Sequence, residues 1–262
     1  MKNLTLRRLV GLTVLLSSCI PTAAMAAYED VGVGARVSGL GHAYTAVADD
    51  VYSVYYNPAG LGTLDRAELG TTYSKLLTGL SDGSNPSNSF IAYAHPIEGG
   101  RRGTFGGGWN YFTVGSLYRE SQIMASYSRG LFARTSPNKY YLGGTLKYLT
   151  RSVGGTAEAS RGISNTGVAT NQADPTLQNA SKGNIDADLG FLWRVKPRWT
   201  VGMMIQHLME PNVGFTETDK LGRNIKLGGA YKTPFSTLTG DVRFQSAPDG
   251  STVTLEVGGS TA

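Results

Sequence analysis

Cysteine is almost missing from this chain. There is one, Cys19, so no disulfide framework is possible. Histidine is scarce as well, with His42, His95 and His207 the full set. Their spacing is too scattered for a metal-binding motif. Ser126 and Ser128 share one strand pattern and His95 lies in another, but no third group is placed to orient them and no local nucleophile motif appears. A P-loop is lacking too. The run Gly106-Gly107-Gly108 falls inside a strand pattern, where small residues relieve crowding or permit curvature. These absences predict no catalysis, no metal and no cofactor.

Excess charge is also small. The formal net charge is +5, and three basic residues but no acidic one fall in the first 26 positions, which leaves +2 for the remainder. Nucleic-acid binding is therefore not expected. Finally, no long apolar run follows the first 26 residues, so a membrane helix of roughly 20 residues is not encoded. That leaves open a membrane barrel, which hides its hydrophobicity in alternate residues. The mean hydropathy of −0.16, the 35 glycines and the 14 tyrosines fit a barrel and also a water-facing β-protein.

What is present begins with an export signal over residues 1–26. Lys2, Arg7 and Arg8 form its charged start, Leu9 to Leu16 its apolar core, and Ala24-Met25-Ala26 a cleavage site that makes Ala27 the first mature residue. Leu16-Ser17-Ser18-Cys19 is a competing lipidation signal. Cleavage after Ala26 is the expectation, because the apolar core then passes into small residues in the usual order.

Beyond the signal, period-two alternation dominates. Ile185, Ala187, Leu189, Phe191 and Trp193 share one face of a strand, and Asn184, Asp186, Asp188 and Arg194 the other. The same pattern recurs in Ile225 and Leu227 against Asn224 and Lys226, in Leu238, Val242 and Phe244 against Asp241 and Arg243, and in Val253, Leu255 and Val257 against Glu256. Ten strands are expected, near 67–76, 88–97, 102–112, 117–131, 139–152, 184–195, 198–208, 224–233, 236–245 and 251–259. Most have the length of about 9–11 residues that crosses a bilayer at a tilt.

The connections alternate in length. Segments 98–101, 132–138, 196–197 and 234–235 make a short set, while 77–87, 153–183 and 209–223 make the other set long. This is the asymmetry of an outer-membrane barrel, with long extracellular loops and short periplasmic turns. Trp193 and Trp199, Tyr231 and Phe235, and Tyr140, Tyr141 and Tyr148 cluster near strand ends and recur at the short-turn side, as an aromatic girdle would. The expected fold is all-β, an antiparallel transmembrane β-barrel with about ten strands in view. The chain ends Gly258-Gly259-Ser260-Thr261-Ala262 without a terminal aromatic, which suggests that further strands are missing.

The segment from Gly34 to Gly62 is the most distinctive. It contains Gly34-Ala35-Arg36, Gly39-Leu40-Gly41, Ala46-Val47-Ala48-Asp49-Asp50 and Tyr56-Asn57-Pro58-Ala59-Gly60-Leu61. This series resembles the N-terminal signature of the FadL-like outer-membrane protein superfamily, in its PorV/PorQ or UPF0164-type branch. The resemblance implies a barrel of 14 strands with an N-terminal hatch in the lumen, here residues 27–65, followed by the barrel over 66–262. It implies a Gram-negative outer-membrane location and the passage of small hydrophobic compounds such as long-chain fatty acids. Its alternative implication is a component or partner of a type IX-like protein secretion system. Expected partners are thus outer-membrane lipid, and either hydrophobic small molecules or secretion proteins.

The residues support a compact insert on their own. Pro58 excludes Asn57 from the helical region, and the Asn57 side chain can then bond nearby backbone and close a turn over Pro58 and Ala59. Asp49 and Asp50 are expected to cap a helical turn or to pair with inward cations such as Lys147 or Arg243. Strand parity brings Lys147, Arg151, Asp186, Asp188, Arg194, Lys226, Asp241 and Arg243 to the non-lipid face. The same parity has the segment enter the barrel from the short-turn, periplasmic side.

Overall fold

The computed structural model describes residues 28, 30–79, 85–131, 139–154, 180–215, 218–247 and 250–261. The export signal, Cys19 and most of segment 153–183 lie outside the described residues.

Ten strands form one antiparallel sheet in strict chain order. They are β1 (Glu68–Lys75), β2 (Pro86–Pro96), β3 (Thr104–Val114), β4 (Tyr118–Gly130), β5 (Lys139–Val153), β6 (Ser181–Lys196), β7 (Trp199–Gln206), β8 (Asn224–Lys232), β9 (Ser236–Ala247) and β10 (Gly250–Thr261). All ten expected strands are present, with ends that differ by a few residues. β6 begins earlier than its alternation suggests, because Ser181 and Lys182 pair with Ser152 and Arg151 of a long β5. β1 and β10 are the sheet's edges.

The two faces of the sheet have inverted polarity. Asp186 and Asp188 are 0% and 1% exposed, while their strand neighbours Ile185 and Leu189 are 58% and 53% exposed. Leu69, Ile91, Phe105, Ile123, Leu146, Val201, Leu227, Leu238 and Leu255 repeat this outward placement across the other strands. A water-facing monomer does not carry a continuous apolar face of that extent. In lipid it is required, since an apolar exterior and a fully hydrogen-bonded backbone are the conditions for crossing hydrocarbon. No helix among the described residues is long and apolar enough to cross a membrane.

Rings collect at the short-connection end of the outer face. Tyr140 stacks on Trp193 at 5.6 Å, Trp199 lies 4.7 Å from Tyr231, and Phe105 lies 4.8 Å from Tyr127. Side chains that are apolar with a polar tip suit the boundary of hydrocarbon and headgroups.

Residues 30–64 lie against the opposite, polar face. They hold two short helices, α1 (Ala35–Gly39) and α2 (Ser53–Tyr56), and a 3-10 turn at Pro58–Thr63. Val37, Leu40, Tyr44, Val47, Val54 and Leu61 are buried here, in a core completed from the sheet by Phe90, Ala92, Ala94, Met124 and Ala230. The sheet thus closes the core of the molecule with its inner face and meets lipid with its outer face.

This arrangement predicts a sharp asymmetry between faces. Leu189→Arg, near the middle of β6, should cost about 2–4 kcal/mol in a bilayer. Urea titration of the protein refolded into phospholipid vesicles measures it, and an unchanged midpoint would contradict the lipid-facing assignment.

Candidate functional site

The inner segment is anchored at three levels. Tyr28 stands at the long-connection end, where its backbone N–H donates to Glu120 at 2.8 Å. It packs with Leu149, Val213 and Leu221. The chain then runs towards the short-connection end and leaves into β1, where Glu68 sits opposite Ala94. The junction with the sheet is on the short-turn side, as expected. The segment is nevertheless not confined there, since its first described residue reaches the other end of the interior.

At mid-height, Asp30 Oδ2 lies 3.0 Å from Lys226 Nζ and 3.5 Å from Arg243 Nη2. Burial opposes ionisation of Asp30, but the two cations outweigh it and hold the carboxyl well below the usual carboxylate range. Tyr55 Oη donates to the other oxygen, Oδ1, at 3.3 Å.

Asn57 makes the next contact. It is extended, with φ −157° and ψ 99°, as the residue before a proline must be. Its side-chain oxygen accepts from Ala59 N, and Nδ2 donates to Thr45 O at 2.8 Å and to Phe191 O of β6 at 3.3 Å. Pro58 and Ala59 lie against β5 and β6 at two glycines. An added Cβ at Gly190 would stand 2.1 Å from Asn57 Oδ1, and one at Gly143 would stand 2.4 Å from the carbonyl carbon of Pro58. Ser128 of β4 donates to Ala59 O at 3.0 Å. The Asn-Pro-Ala turn is therefore keyed into three strands.

At the short-connection end, Arg36 Nη1 bridges Asp49 at 2.6 Å and Asp50 at 3.1 Å. Lys232, at the end of β8, pairs with Asp49 from the other side. Burial resists the charge on Asp49, and Arg36 and Lys232 together hold its carboxyl below the ordinary range. Asp50 also accepts from Tyr52 N at 2.9 Å, a local turn bond. The expected pairing of this acidic pair with Lys147 or Arg243 is corrected here. Both cations lie deeper and have their own partners, Asp188 for Lys147 at 2.6 Å and Asp30 for Arg243. Position along the strand could not be read from alternation alone.

The remaining inward residues join the same interior. Asp186 lies 2.6 Å from His207 Nδ1, and His207 N donates to Asp188 at 3.1 Å. These three residues come within reach of one another as a metal site would, which the sequence spacing concealed. The Lys147 ammonium stands on Asp188 at 2.6 Å, which joins these side chains in one buried polar network. Arg194 places its guanidinium over the Tyr141 ring at 5.6 Å. Asp241 accepts from Thr45 N at 2.8 Å, tying β9 to the segment.

The inward packing of the connection between β7 and β8 was not expected from the sequence. Val213 and Leu221 are 0% and 3% exposed, because this stretch folds inward over the first residues of the segment. Arg151 holds it through Val213 O at 3.3 Å and Asp219 at 3.0 Å, and Lys182 donates to Gly214 O. Its sequence signal is weak, since Val213 and Leu221 are two among several scattered apolar residues, with Leu208, Met209 and Phe215, in a loop without periodicity.

Two outcomes follow. Asn57→Ala removes three hydrogen bonds to buried backbone groups and should weaken docking of the segment by about 2–4 kcal/mol; faster hydrogen exchange at Thr45 and Ala59 is the readout. Asp30 has a depressed pKa in the folded protein, so its stabilisation is full above the unfolded carboxylate value of about 3.9 and fades as pH falls through the folded value. Protection of residues 30–64 should hold at about pH 5 and decline below about pH 4. Asp30→Asn should lower protection by about 3 kcal/mol at neutral pH and leave less of it to be lost in acid.

Residues 51–257, about four-fifths of the chain, match the family described as type IX secretion system membrane protein PorP/SprF. No curated protein matches the chain. The matched span begins in the inner segment just before α2 and runs through all of β1–β9 into β10, so it takes in both the Asn57 turn and the lipid-facing sheet. With the apolar outer face, this places the protein in the outer membrane, and the chain belongs to the type IX secretion system membrane protein PorP/SprF family.

Proposed function

We propose that this protein is an outer-membrane component of a type IX protein secretion system, acting through protein partners, with residues 27–65 serving as a plug and no catalysis of its own. The observation that carries the reading is the family match over residues 51–257. The geometry adds support. The inner segment is fixed to the sheet by buried ion pairs at Asp30 and by the Asn57 turn, and the connection after β7 folds over its start. Each lock would have to open before a solute could pass. Passage of small hydrophobic compounds, the other expectation from sequence, has less support for that reason.

A packed interior leaves the two rims and the outer face as the surfaces that meet partners. The short-connection rim carries Arg36, Lys232, Asp49 and Asp50, which are partly exposed and charged. Crosslinking in native membranes followed by affinity purification tests the reading. The expected outcome is a stable complex with secretion proteins, together with loss of type IX export when the gene is deleted. Unimpaired export, together with fatty-acid uptake by liposomes holding the purified protein, would favour the transport reading instead.

A further inference from the structure

We propose that the outer face of the sheet carries a phospholipid site, with one acyl chain lying in a groove over Gly144 and the headgroup phosphate held by Arg129. A groove of about 440 Å³ opens there across β4, β5, β6 and β7, and its lining is almost wholly apolar. The strand register explains it. Tyr127, Gly144, Leu189 and Ile205 form one outward row across four neighbouring strands. Gly144 thus omits a single side chain from an otherwise continuous apolar row. Leu142 and Phe191, from the next row, wall the gap.

The neighbouring glycines have a packing reason that Gly144 lacks. Gly143 and Gly190 face inward, and the Asn57-Pro58 turn leaves no room for a Cβ on either. At Gly144 an added Cβ would meet Asp188 O and Leu189 Cδ2 at 3.7 Å, an ordinary contact, and its backbone is not left-handed. The fold does not require a glycine at this position. The space it leaves lies on the outward face and opens towards the bilayer.

Arg129 supplies the polar end. It lies directly opposite Leu142 in the register, at the short-connection end of β4 and on the outward face, with its side chain exposed. Arg102, the other guanidinium beside Tyr127, is paired with Glu98 at 3.1 Å, whereas Arg129 has no ion-pair partner among the described residues. An unpaired guanidinium at headgroup height, one row beyond an apolar groove, matches a phosphate diester joined to an acyl chain. A neutral lipid would leave the guanidinium unanswered, and a free phosphate would leave the groove empty.

The test uses the full-length protein, delipidated in detergent and titrated with dioleoyl phosphatidylglycerol, with bound lipid counted by native mass spectrometry. Arg129→Gln should weaken retention roughly tenfold, the scale of one charge-assisted hydrogen-bond pair. Gly144→Leu, which fills the groove from within, should weaken it by a comparable factor, and Gly144→Ala by less. Dioleoylglycerol, which lacks the phosphate, should bind the native protein as poorly as the phospholipid binds Arg129→Gln. Circular dichroism and heat-modifiable gel mobility confirm that each variant is folded. Equal retention by native protein and Arg129→Gln, equal binding of dioleoylglycerol or oleic acid, or full competition by glycerol phosphate would each overturn the proposal.

Discussion

Charge pairing between the inner face of the sheet and the segment packed on it is the condition on which the rest of this molecule depends. Lipid on the outer face forces the apolar residue of every strand outward, and the period of two then forces its polar neighbour inward. The inner segment excludes water from much of that side. Asp188, Asp186, Lys226 and Lys147 consequently sit at 4% exposure or less, where an unpaired charge would cost several kcal/mol. Each is answered: Lys147 by Asp188, Asp186 by His207, and Lys226 by Asp30. The last pair matters most, because its carboxylate comes from the inserted segment. Removing the segment would strand the Lys226 cation as well as empty the core.

The same logic explains where small residues fall. Gly143 and Gly190 occupy inward positions at which the Asn57 turn touches the strands, while their flanking outward positions remain large or open. The sheet is thin where the Asn57 turn presses on it. Polar keying from Asn57 and Ser128 fixes the contact in one register, which apolar packing alone would leave free to slide.

Much of the sheet was legible in the sequence, because a lipid-facing strand is written as strict alternation and a turn as Pro, Gly or a charge. Ile185 to Trp193 shows this well: apolar residues alternate with Asp186 and Asp188, and the structure turns the two sets to opposite faces. Side chains such as Asp241, Lys147 and Arg194 could be assigned to the inner face by parity alone. Their partners could not. Asp49 finds Arg36 and Lys232, since pairing depends on height along the strands and on the path of a segment that has no periodicity. The inward fold of the β7–β8 connection was hidden for the same reason, as Val213 and Leu221 are two of several scattered apolar residues in a loop without periodicity. The family match in turn favours the secretion reading, which the Gly34–Gly62 motif left beside transport.

The contacts of Asp30 join residues far apart in the chain, 196 positions to Lys226 and 213 to Arg243. Neither cation has been synthesised when the segment leaves the ribosome. Residues 30–64 have too little helix to hold a shape alone, with turns of 5 and 4 residues. The segment's contacts with Lys226 and Arg243 therefore form only when β8 and β9 are in place. Until then Lys226 lacks its carboxylate partner, while Lys147 and Asp186 already find theirs on the sheet and its connections, so docking of the segment completes the last of the buried pairs.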